Sequence, residues 1–120
     1  MTELIFFFLL LCKHAIADLA LQSRLDSYGT KTNLRTPRLW IHCLDHAMLT
    51  FFVTLLIVGV VNALWLFLLD FVAHFTIDYI KSVHHKRNGI VTGKGKYWTY
   101  AAVDQIAHYT TYLGLVVLTS

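Results

Sequence analysis

Charge is scarce in this 120-residue chain. Asp, Glu, Lys and Arg make up 14% of it, against about 25% in an average soluble domain, which excludes a disordered chain or a charged helical tail. With one proline and six glycines, a collagenous or low-complexity segment is excluded as well. The two cysteines, Cys12 and Cys43, lack CxxC spacing and read as small apolar fillers. No Lys or Arg precedes the first apolar run, where Glu3 stands instead, so Ala15-Ile16-Ala17 is not expected to be a signal-peptide cleavage site. What is abundant is apolar surface, at 57% hydrophobic residues against about 45–50% in soluble domains. That is a membrane composition.

The apolar residues fall into four segments, about 3–21, 39–59, 62–83 and 97–118, each long enough to cross a bilayer as a helix. Two polar loops, 23–38 and 84–96, separate the first pair and the last pair. The first has turn chemistry at Ser27-Tyr28-Gly29 and a stop at Thr36-Pro37; the second holds Gly89, Gly93 and Gly95. Between the middle segments only Gly59 and Asn62 interrupt the pattern. A single helix over 39–83 would run about 67 Å, over twice the hydrocarbon thickness, so a hairpin is required. The predicted fold is all-α, a polytopic membrane protein with four transmembrane helices in one bundle and a single domain over 1–120. The rival has three crossings, with one span over 47–69.

The net charge of +3 is unevenly spread. Nine of the ten Lys and Arg form two groups, Arg24, Lys31, Arg35, Arg38 and Lys81, Lys86, Arg87, Lys94, Lys96. Four crossings put both basic groups on one face, which the positive-inside rule makes cytoplasmic. The expected location is therefore the inner (cytoplasmic) membrane, multi-pass, with both termini outside the cytoplasm and Tyr97, Trp98 and Tyr100 as interfacial anchors. Loop 89–96 is not a phosphate loop, because its spacing is one residue short and no Ser or Thr follows Gly93-Lys94. No nucleic-acid module is recognisable, and no nucleic-acid partner is expected.

The aspartates Asp18, Asp45, Asp70, Asp78 and Asp104 lie inside apolar stretches. An ionisable residue at mid-helix opposes insertion by about 2.5–3.5 kcal/mol, so these must have partners. Four-residue spacing recurs: His14 with Asp18, continued by Gln22; His42 with His46; Asp70, His74 and Asp78, with Lys81 one turn on; Asp104 with His108. At that spacing side chains share a helix face. Counted from the proposed cytoplasmic ends, Asp18, His42, Asp78 and Asp104 lie about 5–10 Å deep, and His14, His46, His74 and His108 about 10–17 Å deep. Antiparallel helices thus place their polar stripes at one level, predicting a single inward-facing cluster.

Imidazole nitrogen and carboxylate oxygen in one helical cluster are ligands for a divalent metal. The expected ligands are His14, Asp18, His42, His46, His74, Asp78, Asp104 and His108, holding zinc, with manganese or iron as alternatives, and two ions in the fullest form. A metal-activated water would attack a phosphoester. Asp104 or Asp70 is the candidate general base, although Asp70, like Asp45, also suits the role of orienting a ligating His. Beyond the lipid bilayer itself, the expected partner is a lipid or lipid-linked phosphate substrate. Two rivals use the same residues otherwise: a proton- or ion-coupled transporter or channel component, and a non-enzymatic membrane factor whose polar cluster only holds the bundle together.

The motifs His14-Ala-Ile-Ala-Asp18-Leu-Ala-Leu-Gln22, His42 with His46, His74-Phe-Thr-Ile-Asp78-Tyr-Ile-Lys81 and Asp104-Gln105-Ile-Ala-His108 resemble, in this order, the small bacterial and phage membrane proteins of the domain of unknown function 3307 family. The resemblance covers about 4–118 and departs in Leu19, where Phe is frequent, and in the extra Asp45. It implies no settled activity. The motif style is also similar to membrane-bound metal-dependent hydrolases allied to zinc phospholipase C and P1 nuclease, which implies phosphoester cleavage by analogy of pattern.

Overall fold

The computed structural model describes all 120 residues. It is all-helical, as predicted, and contains no strand. Helix α1 covers Thr2–Ala15 and passes into a π-helical turn, Ile16–Leu21, and a 3₁₀ segment, Gln22–Tyr28; α2 covers Arg38–Arg87 and α3 Tyr97–Leu118. The loops are therefore shorter than their predicted bounds of 23–38 and 84–96. Residues 84–87 extend α2 by a full turn, because nothing before Asn88-Gly89 breaks the helix.

Straight, the 50 residues of α2 would span about 75 Å, yet the molecule's longest extent is 42 Å. The helix doubles back at Gly59, whose φ of 79° and ψ of 168° are non-helical. This backbone region is essentially closed to residues with a Cβ, and space is not the constraint, since nothing lies within 4 Å of where a Cβ would stand. The required hairpin is thus present, with arms over 38–58 and 60–87. It is tighter than predicted: Asn62 is already helical and its side chain donates to the Val58 carbonyl at 3.2 Å. Gly29, at φ 102°, ends the 3₁₀ segment, and there a Cβ would also strike Thr36 at 2.4 Å.

Each arm buries one stripe at helical spacing. The first hides Leu39, His42, Cys43, His46, Ala47, Thr50 and Thr54, and the second Ala63, Leu66, Asp70, His74 and Asp78. The result inverts a water-soluble core. Of the 23 buried residues, 11 are polar or charged, while Phe8, Leu56 and Trp65 are 60%, 92% and 62% exposed. Two helical stretches, Thr2–Tyr28 and Arg38–Arg87, are long and apolar enough to cross a membrane.

The bundle has two unlike ends. At one, Phe6, Leu10, Leu66, Tyr112, Leu115 and Val116 form the apolar core. Thr2, Glu3, Ile57, Val58, Thr119 and Ser120 line a shallow cavity there, so both chain termini and the Gly59 bend share that end. The loops, and the polar stripes leading to them, occupy the other.

Candidate metal centre

The three α-helices deliver five imidazoles to one place. The His14 ring centroid lies 5.0 Å from that of His46, 5.4 Å from His74 and 5.0 Å from His108. His74 stacks between His46 at 3.7 Å and His108 at 3.9 Å, and His42 meets His46 edge-on at 4.6 Å. The residues whose spacing predicted a shared level do converge.

The carboxylates pin these rings. Asp18 Oδ1 accepts from His46 Nε2 at 2.9 Å and lies 3.4 Å from His42 Nε2, while its Oδ2 is 3.0 Å from His14 Nε2. Asp78 Oδ1 accepts from His108 Nε2 at 3.0 Å, and its Oδ2 is 3.1 Å from His42 Nε2. Asp70 Oδ1 accepts from His74 Nδ1 at 3.2 Å. Asp104 Oδ1 lies 3.3 Å from His108 Nε2 but makes no hydrogen bond, because that nitrogen has a single proton and it goes to Asp78.

Three lysines complete the cluster: Lys81, expected one turn on from Asp78, and Lys13 and Lys31, which no local spacing had placed there. Lys13, only 2% exposed, donates to Asp70 Oδ2 at 2.7 Å and to the His46 carbonyl at 3.3 Å. Thr50 adds a third bond to Asp70, at 2.6 Å. Lys31 reaches in from the 29–37 loop to Asp78 Oδ2 at 2.8 Å and Gln22 Oε1 at 2.7 Å. Lys81 pairs with Asp104 Oδ2 at 3.1 Å. Tyr112, also missed, lies 2.6 Å from His14 Nδ1 through its hydroxyl and puts its ring 4.5 Å from the Lys13 ammonium. Its signal was legible, since it continues the Asp104, His108 spacing by four.

Three sets of side chains have ligand atoms mutually within 4.8 Å: His14, His46 and His74; Asp18, His42 and His46; His74, Asp78 and His108. Ligands at about 2.0–2.1 Å round a tetrahedral ion stand roughly 3.4 Å apart, so small side-chain rotations close such a set. Asp104 belongs to none of the three. Asp70 has both oxygens engaged by Lys13, Thr50 and His74, and Asp45 pairs with Arg24 on the protein's flank.

The donor chemistry fits a cation. Four buried imidazole nitrogens, His42 Nδ1, His46 Nδ1, His74 Nε2 and His108 Nδ1, have no hydrogen-bond partner. A buried polar group left unsatisfied costs about 1–3 kcal/mol, and a cation accepts the lone pairs that such nitrogens offer. His74 has the arrangement seen behind ligating imidazoles, with a carboxylate on one ring nitrogen and the other free. These His and Asp groups can therefore hold a metal.

The cluster opens to a cavity of about 230 Å³ whose lining includes Asp18, Lys31, Asp78, Lys81, His85 and Asp104. Two further cavities share lining residues with it. One of about 370 Å³ shares Lys81 and Asp104 and runs between the second arm of α2 and α3. The other, about 240 Å³, shares Asp18, Leu19 and Gln105 and runs between α1 and α3.

The profile of the family described as Protein of unknown function (DUF3307) matches residues 6–120, and the chain belongs to that family. No curated protein and no solved structure matches it.

Proposed function

We propose that this member of the DUF3307 family is a four-pass membrane protein that holds one divalent metal ion at Asp18, His42 and His46 and hydrolyses phosphoesters. The carrying observation is the electrostatic isolation of Asp18. Asp70, Asp78 and Asp104 each have a lysine ammonium within 3.1 Å, whereas Asp18 is held by imidazoles alone. An ammonium competes with a metal for the same oxygen, so a cation is favoured where none stands. The three lysines also change the ion count. With neutral imidazoles the four carboxylates and three ammoniums leave one net negative charge, and one divalent ion brings the cluster to one net positive charge. Two ions would leave a strong excess of buried positive charge.

A bound divalent ion supplies Lewis acidity that activates water at neutral pH. The chain's own residues do the rest. Lys31 and Lys81 line the cavity beside Asp18 and bind an anionic phosphate. Asp104 lines it as well, and its Oδ1 has no hydrogen bond; this supports Asp104 as the base that takes a proton from the attacking water. Asp70, saturated by three donors, is a positioning residue that orients His74. Zinc is the metal best suited to a His-rich set of three that leaves a position open for water.

The membrane reading is supported by the apolar exterior and by the two span-length helices, the second of which is folded at Gly59 and supplies two passes. Tyr97–Leu118 completes the bundle as the fourth pass. Basic residues gather at the site's end, which favours a cytoplasmic location for it. A transport path has less support. The far end is closed by the apolar core, and the hydroxyls of Thr54 and Thr111 bond to their own helix backbone.

The test is metal analysis of detergent-purified protein beside aryl phosphate hydrolysis. About one equivalent of zinc, lost in Asp18→Asn and His46→Ala together with the hydrolysis, is the expected result. Less than about 0.2 equivalents of any transition metal in the wild type overturns the metal reading.

A further inference from the structure

The largest of the cavities, about 370 Å³, falls within the range of about 300–1,000 Å³ typical of ligand pockets. Its walls are chiefly apolar, with Ile77, Ile80, Val103 and Ala107 among them. It opens sideways between the second arm of α2 and α3, where Ile80 and Val103 are 52% and 61% exposed. In a membrane that opening faces lipid. At its inner end stand Lys81 and Asp104, the same two residues that line the polar cavity over the cluster. An apolar slot thus borders, across these two residues, a polar pocket in which two lysines stand among three aspartates.

The pocket has hydrogen-bond donors to spare. An ammonium carries three N–H groups. Lys81 has one carboxylate partner, Asp104, and Lys31 uses two donors, on Asp78 and Gln22. His85 lines the same cavity with a buried Nε2 that has no partner. Surplus donors beside a hydrocarbon slot complement a molecule with an anionic oxygen-rich head and an apolar tail. Lys86, Arg87, Lys94 and Lys96 lie next to this end in sequence and add attraction for anionic headgroups.

We infer that the substrate is a lipid phosphate, with its hydrocarbon chain in the slot between the second arm of α2 and α3 and its phosphate between Lys31 and Lys81. A water-soluble phosphate would leave the slot unfilled, and a neutral lipid would leave the spare N–H donors of the two lysines unused. The turnover of such a lipid rests on the metal-dependent reading above. Its binding does not, because the slot and both lysines are present without any ion.

The test uses metal-stripped full-length protein in phosphatidylcholine nanodiscs and a phosphatidic acid carrying a photoreactive group on its acyl chain. Labelling is expected in 76–80 and 103–107 and is expected to fall about tenfold in Lys81→Gln, the equivalent of losing one charge-assisted hydrogen bond. It is expected to persist in Lys81→Arg and to be lost in Val103→Trp, which fills the slot from its rim. A photoreactive diacylglycerol with the same chain is the control. Equal labelling by the neutral lipid, or labelling spread evenly over all lipid-facing helices, overturns the inference. So does labelling that inorganic phosphate alone abolishes while Val103→Trp leaves it intact, which would identify a free-phosphate site. Because no metal is present, these outcomes are independent of whether the chain holds zinc.

Discussion

Lys13 Nζ and Asp70 Oδ2 stand 2.7 Å apart with side chains 2% and 0% exposed, joining α1 to the second arm of α2 across 57 residues of chain. Removing one partner of a buried pair strands the other charge, at a cost of about 3–5 kcal/mol. Lys13→Met and Asp70→Leu are each expected to lower unfolding stability in mixed micelles by that amount. The double variant is expected to recover much of the loss, because both charges leave together. A double-mutant cycle checks this, and additive losses would refute the coupling.

Gly59 carries the hairpin. Gly59→Ala is expected to destabilise the protein by about 1–3 kcal/mol, since φ near +79° with an extended ψ is strained for any residue with a Cβ. The surroundings are open there, so substitution by a larger residue should cost little more than alanine does. Denaturation of an alanine and leucine pair at this position measures the difference.

Asp104 is expected to separate chemistry from metal binding. Asp104→Asn should retain the metal and lose about 10²–10⁴-fold in hydrolysis, the usual contribution of a general base. Asp18→Asn should lose both. Metal content and turnover measured on the same preparations distinguish the two roles, and loss of metal in Asp104→Asn would move Asp104 into the ligand set.

Metal affinity should fall as pH drops below neutrality, because an imidazole must be unprotonated to ligate. Zinc titrations between about pH 5.5 and 7.5 check the sign. Affinity that stays flat over this range would mean that carboxylates alone bind the ion.

Accessibility labelling tests the four-pass arrangement. Single cysteines placed near Met1, Gly59 and Ser120 should report one side of the membrane, and cysteines in 30–36 and 89–95 the other. The three-crossing alternative instead puts the two loops on opposite sides.

Much of the site was legible because a helix repeats every 3.6 residues. His14 with Asp18, His42 with His46, His74 with Asp78, and Asp104 with His108 each had to share a face, and a lipid-facing exterior left the interior as the place for those faces. The same rule extended by one turn reaches Thr50 and Tyr112, both of which are buried. Lys13 was harder to find. It is the tenth basic residue, alone in an apolar run, and its partner Asp70 lies on another element, so no local spacing links them. Lys31 is further still from prediction, since it reaches Asp78 from a loop whose path depends on the turn at Gly29 and its fit against Thr36.

The amino-acid sequence by itself determined the all-helical class, the apolar exterior, the hairpin within 39–83 and the set of imidazoles and carboxylates that share helix faces, because each follows from composition or from a local period. Only the tertiary structure decided which ammonium neutralises which carboxylate, and so which acid remains without one. That pairing depends on the depth and rotation of helices relative to one another. These are set by packing between distant residues, and Asp18 stands apart because three lysines found other partners first.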